Sequence, residues 1–277
     1  MKLSIIQTAS TRGRELVRFI EALNKQVIRS SDRIQYIFVD QGDNSHFFSE
    51  IKKNVDFVYI KTERCSLSHA RNLGLDAVSG DIVSFPDDDC WYPDGIISEI
   101  LCWFDSKEYD GYTGRVTNEN GIPYNRYAYQ SRVLTKEEHA GASSICMFLK
   151  FDKRIKFDEN IGVGSPYGIG SGEETDYLSR YIALGKKVLY CPNLVVHHPI
   201  SLLNKDEQYI AKTYSYAIGA GYVAKKNNYS LSYKIKMIIR PLVGMIAFFI
   251  RGDLYMAKRS RAILYGRFKG LNKPTII

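Results

Sequence analysis

Short apolar runs alternate with amphipathic stretches through the first third of the chain. Leu3–Gln7, Ile34–Val39, Val55–Ile60 and Asp81–Phe85 read as strands. Between the first two, Leu16, Phe19, Ile20 and Leu23 recur at i, i+3, i+4 and i+7, which predicts a helix with one face on a sheet. Between the third and fourth, Ser66 suits the cap of a helix from Leu67 to about Val78, with Gly80 as its stop. Strand and helix in alternation favour a mostly parallel α/β sheet covered on both faces.

Farther on, Asp94–Phe104 and Glu173–Leu184 read as helices, the second stopped by Gly185. Ser143–Leu149 and Val188–Tyr190 read as strands. The Tyr- and Gly-rich stretch from Tyr109 to Tyr129 has no clear period and is expected to be strand plus loop. From about Lys205 the pattern is helical almost to the end, and Pro241 is expected to break it once.

With 277 residues, 45% of them hydrophobic, the chain can bury a large core and is not a disordered protein. Its five cysteines are odd in number and form no C-x-x-C pair, which argues against a disulfide framework or a zinc site and fits a reducing cytoplasm. Met1 and Lys2 lead straight into the first strand without the apolar core of a signal peptide, so the N-terminus is expected to belong to the fold.

The formal charge of +8 is concentrated in the tail from Lys225 to Lys273, which points to an anionic surface as partner. Within it, Pro241–Ile250 is apolar between Arg240 and Arg251. That run is too short to cross a bilayer, which takes about 20 apolar residues. It suits a helix lying in an anionic leaflet, and equally a face packed on the rest of the chain or on a second subunit. No nucleic-acid recognition motif accompanies the charge, which forms a basic tail rather than a stripe, so no nucleic-acid partner is expected.

Ligands of open parallel sheets bind at the carboxyl ends of the strands, and two acids stand there. Asp40 follows Ile34–Val39, and Asp87 follows Ile82–Phe85 and Pro86. A lone acid such as Asp40 serves equally as a turn former. The triplet Asp87-Asp88-Asp89 is harder to explain that way, because adjacent carboxylates repel. A hard divalent cation resolves the repulsion, taking one or two protein carboxylates and completing its shell with substrate phosphates and water. A solvated acidic turn is the alternative.

The order of segments resembles the family 2 glycosyltransferases of GT-A fold. The resemblance runs through Ser4-Ile5-Ile6 with Thr11-Arg12-Gly13-Arg14, Phe38-Val39-Asp40, Leu67 to Leu75, Gly80 to Asp89, and Gly172-Glu173-Glu174-Thr175-Asp176 with Arg180. It implies an inverting enzyme with a GT-A catalytic domain over 1–200, nucleotide-binding in 1–90 and acceptor-binding with the base in 91–200, followed by a helical tail over 201–277. A nucleotide-diphosphate sugar, a UDP-sugar by preference, is the implied donor. Mn2+ or Mg2+ is the implied cofactor.

By position, the resemblance implies that Asp40 bonds the base, that Thr11 and Arg12 line its pocket, and that Arg71 and Asp88 face the nucleotide. Asp87 and Asp89 become the outer members of a D-x-D metal motif. Glu174 becomes the base that takes the acceptor's proton, with Glu173 as substitute. Family members more often have Asp at the second position, and Ser171-x-x-Glu174 also fits a capping box. His197 and His198 follow Leu194-Val195-Val196, and as in some relatives a histidine here can complete the metal shell; alternation lets only one of the two point into the site, with His198 the choice, and a surface His pair is the alternative. Trp91, Tyr92 and the tyrosines at 109, 112, 124, 127 and 129 offer sugar platforms or plain core.

The ending Tyr265 to Leu271 is similar to the tails of bacterial family members that build surface polysaccharides. It implies a lipid-linked saccharide or other hydroxyl acceptor, at the inner face of the cytoplasmic membrane. A second copy of the chain, in a homo-oligomer, is a further candidate partner. A non-catalytic nucleotide-sugar-binding or assembly protein of the same fold is the chief alternative. A sugar-phosphate nucleotidyltransferase would want a Gly-rich, Lys-bearing loop that Gln7 to Arg14 lacks.

Overall fold

The computed structural model describes residues 1–11, 13–138, 143–200 and 206–276. They form two compact units, one of residues 1–65, 69–156 and 181–200, the other of 66–68, 157–180 and 206–276.

The first unit is built on an eight-stranded sheet. Its strands are β1 (Lys2–Ala9), β2 (Arg33–Asp40), β3 (Val55–Lys61), β4 (Ile82–Ser84), β5 (Gly111–Thr117), β6 (Arg132–Val133), β7 (Met147–Lys150) and β8 (Val188–His197). They lie in the order β3-β2-β1-β4-β7-β5-β8-β6. The pairs β2–β3, β1–β2, β1–β4 and β5–β8 are parallel. The strand expected at Ser143–Leu149 is a 3-10 turn (Ser144–Cys146) followed by β7, which runs antiparallel to both β4 and β5.

Helices cover both faces. Leu3 and Ile5 of β1 share a core with Leu16, Phe19, Ile20 and Leu23 of α1 (Arg14–Lys25), and with Ile97, Leu101 and Phe104 of α3 (Ile96–Asp105). Ile6 points to the other face. There Gly74 of α2 (Leu67–Asp76) comes so close that an added Cβ would stand 2.4 Å from the Ile6 side chain. The stretch from Tyr109 to Tyr129, expected as strand plus loop, holds β5 and part of the connection to β6.

The second unit contains most of α4 (Glu173–Ala183), then α5 (Glu207–Lys226), α6 (Leu231–Ile250) and α7 (Leu254–Asn272). Asp206, Ser230 and Asp253 cap the last three, accepting from the backbone N–H groups of Tyr209, Tyr233 and Met256. Their core joins Ile161 and Ile169 to Ile218, Tyr222, Val223 and Met237.

The break expected at Pro241 is absent, because α6 runs through it. A proline removes one helical hydrogen bond. Pro241 and Met237 supply the buried face of α6, so packing opposes that loss. The helical tail is divided instead at 227–230 and 251–253, where the caps stand.

Candidate active site

The turn after β4 gathers the predicted acids. Gln7, fully buried in β1, donates from Nε2 to the Asp87 carbonyl at 2.9 Å, while its Oε1 accepts from the Tyr36 hydroxyl at 2.6 Å. The Cys90 N–H closes the turn onto the same carbonyl. Asp88 sits half-buried at the corner.

Arg71, 2% exposed on α2, donates from Nη2 to Asp87 Oδ1 and to Ser144 Oγ, both at 2.9 Å. The Asp87 side chain is nevertheless 41% accessible. Protein atoms crowded around the carboxyl group still desolvate it and push it above the ordinary value; Arg71 and His198 oppose this, and Asp89 and Asp88 add to it. The charge that Asp87 carries beside Asp88 and Asp89 thus comes at a cost that a cation would relieve.

Asp89 meets a histidine. Its Oδ1 lies 3.0 Å from His198 Nε2, and the other ring nitrogen, Nδ1, is 2.6 Å from the Pro199 carbonyl. Burial lowers the His198 pKa, but the bond and charge of Asp89 outweigh it and raise the ring above its ordinary value. His197 faces elsewhere, with Nδ1 3.1 Å from Thr117 Oγ1 and its ring against Trp91. Alternation of side chains at the end of β8, which His198 follows directly, accounts for the split.

Aromatic residues that the sequence singles out and one arginine that it does not, Arg18, fix this geometry. Trp91 and His197 exchange backbone hydrogen bonds of 2.9 and 3.0 Å, which ties the acidic turn to the end of β8. The Arg18 guanidinium lies 3.6 Å from the centre of the Trp91 ring and donates to the Asp89 carbonyl at 2.8 Å. Tyr124 stands edge-on to His198. Tyr92 and Tyr112 are core.

Asp40 forms a second knot. Its Oδ1 accepts from the Gly42 N–H and Asn44 Nδ2, and its Oδ2 from the Asn44 N–H and the Tyr59 hydroxyl, all within 2.9 Å. A carboxylate has about four acceptor positions, so the chain's own donors occupy them. Burial raises this carboxyl, yet the bonds from Tyr59, Asn44 and Gly42 carry it below its ordinary value. Asn44 also donates to the Ser10 carbonyl at 2.9 Å, tying the knot to the bend holding exposed Thr11. Arg12 lies outside the described residues.

Glu173 and Glu174 open α4 in the second unit. Glu173 is buried beside Gly162, while Glu174 is half-exposed. The helix starts one residue later than a cap at Ser171 would place it. Gly172 holds the N-cap position, its carbonyl accepting from Asp176 N–H at 2.8 Å, and Ser171 turns its hydroxyl to the Tyr216 carbonyl.

Among the described residues no three His, Cys, Asp or Glu side chains converge to hold an ion alone. Carboxylate oxygens with one imidazole do suit Mn2+ or Mg2+ when phosphate oxygens complete the shell.

The family model of Glycosyl transferase family 2 matches residues 4–170, which include β1, the acidic turn and β7. The chain belongs to this family. Its scaffold is the α/β GT-A type. It is 30% identical over 169 residues to the minor teichoic acid biosynthesis protein GgaB of Bacillus subtilis (strain 168), covering 54% of this chain and 18% of that protein.

Its fold is similar to the mannosyltransferase PcManGT of Pyrobaculum calidifontis, solved with GDP-Man and Mn2+. The TM-score is 0.62 at 13% identity, over 98% of this chain and 87% of that one. It is also similar to S. aureus TarS, with a TM-score of 0.57 at 14% identity, over 98% of this chain and 54% of TarS. TarS 1–349 has been solved with UDP, where the TM-score is 0.57 at 13% identity, over 97% of this chain and 90% of that one.

Proposed function

We propose that this glycosyltransferase moves a sugar from a UDP-sugar to a hydroxyl acceptor with inversion at the anomeric carbon. The observation that carries the reading is the cluster of Arg71, Asp87, Asp89 and His198 at the carboxyl end of β4. Neighbours of the same fold solved with UDP or with GDP-Man and Mn2+ support it.

Asp89 and His198, with Asp87, hold Mn2+ or Mg2+, which when bound stabilises charge on the departing diphosphate. Arg71 and Asp88 face the phosphates, and Thr11 and Arg12 border the nucleoside. Asp40 reaches the base by exchanging one of its internal donors. Glu174 receives the acceptor's proton as that oxygen attacks from the face opposite the diphosphate. Buried Glu173 is the less accessible candidate.

Residues 1–200 are the catalytic part and 201–277 a basic tail. The relation to GgaB, a teichoic acid biosynthesis protein, supports a role in surface polysaccharide assembly on a lipid-linked acceptor at the inner membrane face.

Thermal-shift and turnover measurements with UDP-, GDP- and dTDP-sugars, with and without Mn2+, test this. A Mn2+-dependent rise in stability with a UDP-sugar is expected. Glu174→Gln should lower transfer by about 100-fold or more while keeping that rise. Unchanged transfer in the variant removes Glu174 as base, and no cation-dependent binding of any sugar nucleotide overturns the whole reading.

A further inference from the structure

Eight large apolar side chains of α6 are exposed, among them Leu231, Ile235, Ile239, Leu242, Ile246 and Phe249. At roughly 100° per residue all of them fall within an arc of about 120°, along a helix roughly 30 Å long. The buried Met237 and Pro241 lie opposite. Exposed Lys236 and Arg240 follow the arc on one side. Single exposed apolar residues are ordinary, but a continuous row of this length is not.

The row continues into a cavity of about 450 Å³ between α6 and α7. Ile246 and Phe249 belong to both, Leu254 extends the apolar lining, and Lys258 and Arg261 complete it. Lys258 pairs with Glu207, and Arg261 lies over the Tyr265 ring. Between 231 and 276 there are ten Lys and Arg against one acid, Asp253.

That charge decides the occupant. Two copies of so basic a face would repel, whereas an anionic lipid surface matches both the apolar row and its cationic border. Among the described residues no helix is long and apolar enough to cross a membrane, so α6 would lie in the plane of the leaflet.

We propose that the α6–α7 face is an interfacial lipid-binding site: the α6 row embeds in an anionic leaflet, and the groove beside Lys258 and Arg261 takes one acyl chain with its phosphate against the two cations. This deepens the membrane-surface part of the function proposed above and is independent of the donor chemistry.

The test is flotation of the full chain with phosphatidylglycerol/phosphatidylcholine vesicles at low salt, beside vesicles of phosphatidylcholine alone, with Mn2+-dependent donor hydrolysis measured in parallel. Binding is expected to the anionic vesicles and to weaken at least tenfold without phosphatidylglycerol. The double variant I246D/F249D, altered only at exposed positions, should abolish binding, and K258A/R261A should weaken it by about tenfold. Donor hydrolysis should not change in either.

Equal binding to both vesicle types, retention of binding in I246D/F249D, or failure of the folded parent to bind each overturns the proposal. So does a concentration-dependent dimer in vesicle-free buffer that I246D/F249D dissolves, because that would make the face a contact between copies. Loss of donor hydrolysis in the parent while vesicle binding persists would count against the catalytic reading alone.

Discussion

Asp89 Oδ1 and His198 Nε2 stand 3.0 Å apart, joining the turn after β4 to the end of β8, although 109 positions separate them in the chain. The neighbouring His197 is committed to Thr117 and Trp91. Only one of the two imidazoles therefore faces the acids. His198→Ala should weaken Mn2+ binding in the presence of UDP by at least tenfold, on the order of the losses seen when a metal's surroundings are altered. His197→Ala should leave it within about threefold. Isothermal titration of both variants distinguishes them, and equal losses would mean that the ring orientations do not govern the site.

Arg18 acts on the same turn from α1. It stacks on Trp91 and donates to the Asp89 carbonyl, so it orients the backbone that carries the acid without touching the carboxylate in this contact. Arg18→Lys keeps the charge but loses the planar fork and the stacking. A stability loss of about 1–2 kcal/mol is expected in urea denaturation, from one charge-assisted hydrogen bond and one cation–π contact. Weaker Mn2+ binding should accompany it, whereas a stability loss with unaltered Mn2+ binding would assign Arg18 to packing alone.

Local rules made parts of this molecule legible. Leu16, Phe19, Ile20 and Leu23 announce α1 by spacing, and all four are buried. Alternation at the end of β8 predicts that His197 and His198 point to opposite faces, but not which of them meets the acids. Arg18 carries no such signal, because its partner lies 71 residues away and nothing on α1 distinguishes it from a solvated arginine. The direction of β7 is likewise a long-range matter, since an apolar run reveals burial but not which strands it pairs with. Pro241 misleads for a related reason: the local cost of proline is visible in the sequence, while the packing that opposes it is not.

Acid should loosen both units through specific carboxylates. Asp158 accepts from Lys226 Nζ at 2.6 Å; burial raises its carboxyl, but the bonds from Lys226 and Asn160 carry it below the ordinary value, as the internal donors do for Asp40. A carboxyl whose folded pKa is depressed contributes stability that is fully present above its unfolded pKa of about 3.9 and is lost as pH falls through the folded value. Stability should therefore stay level with respect to these two groups from pH 7 to about 5 and fall below about 4. Lys226→Met should cost about 1–3 kcal/mol at pH 7 and flatten the acid branch that belongs to Asp158. Urea midpoints measured against pH give the answer, and an unchanged acid branch in the variant would show that the Lys226 pair is not responsible.

Gly42 offers the sharpest steric test of the knot around Asp40. A Cβ there would stand 1.6 Å from the Ser10 carbonyl oxygen, a backbone atom that cannot rotate away. The bend after β1 and the turn after β2 would have to separate, straining the Asn44 bonds to both Ser10 and Asp40. Gly42→Ala should thus cost about 1–3 kcal/mol, the usual range for forced overpacking, and should weaken nucleotide binding if the Thr11 bend borders the nucleoside. An exposed position provides the control: Val27, just after α1, is 77% exposed, so Val27→Ala should be within about 0.5 kcal/mol of the parent. Equal midpoints for the two variants in urea would mean that the two loops are not held in contact through Gly42.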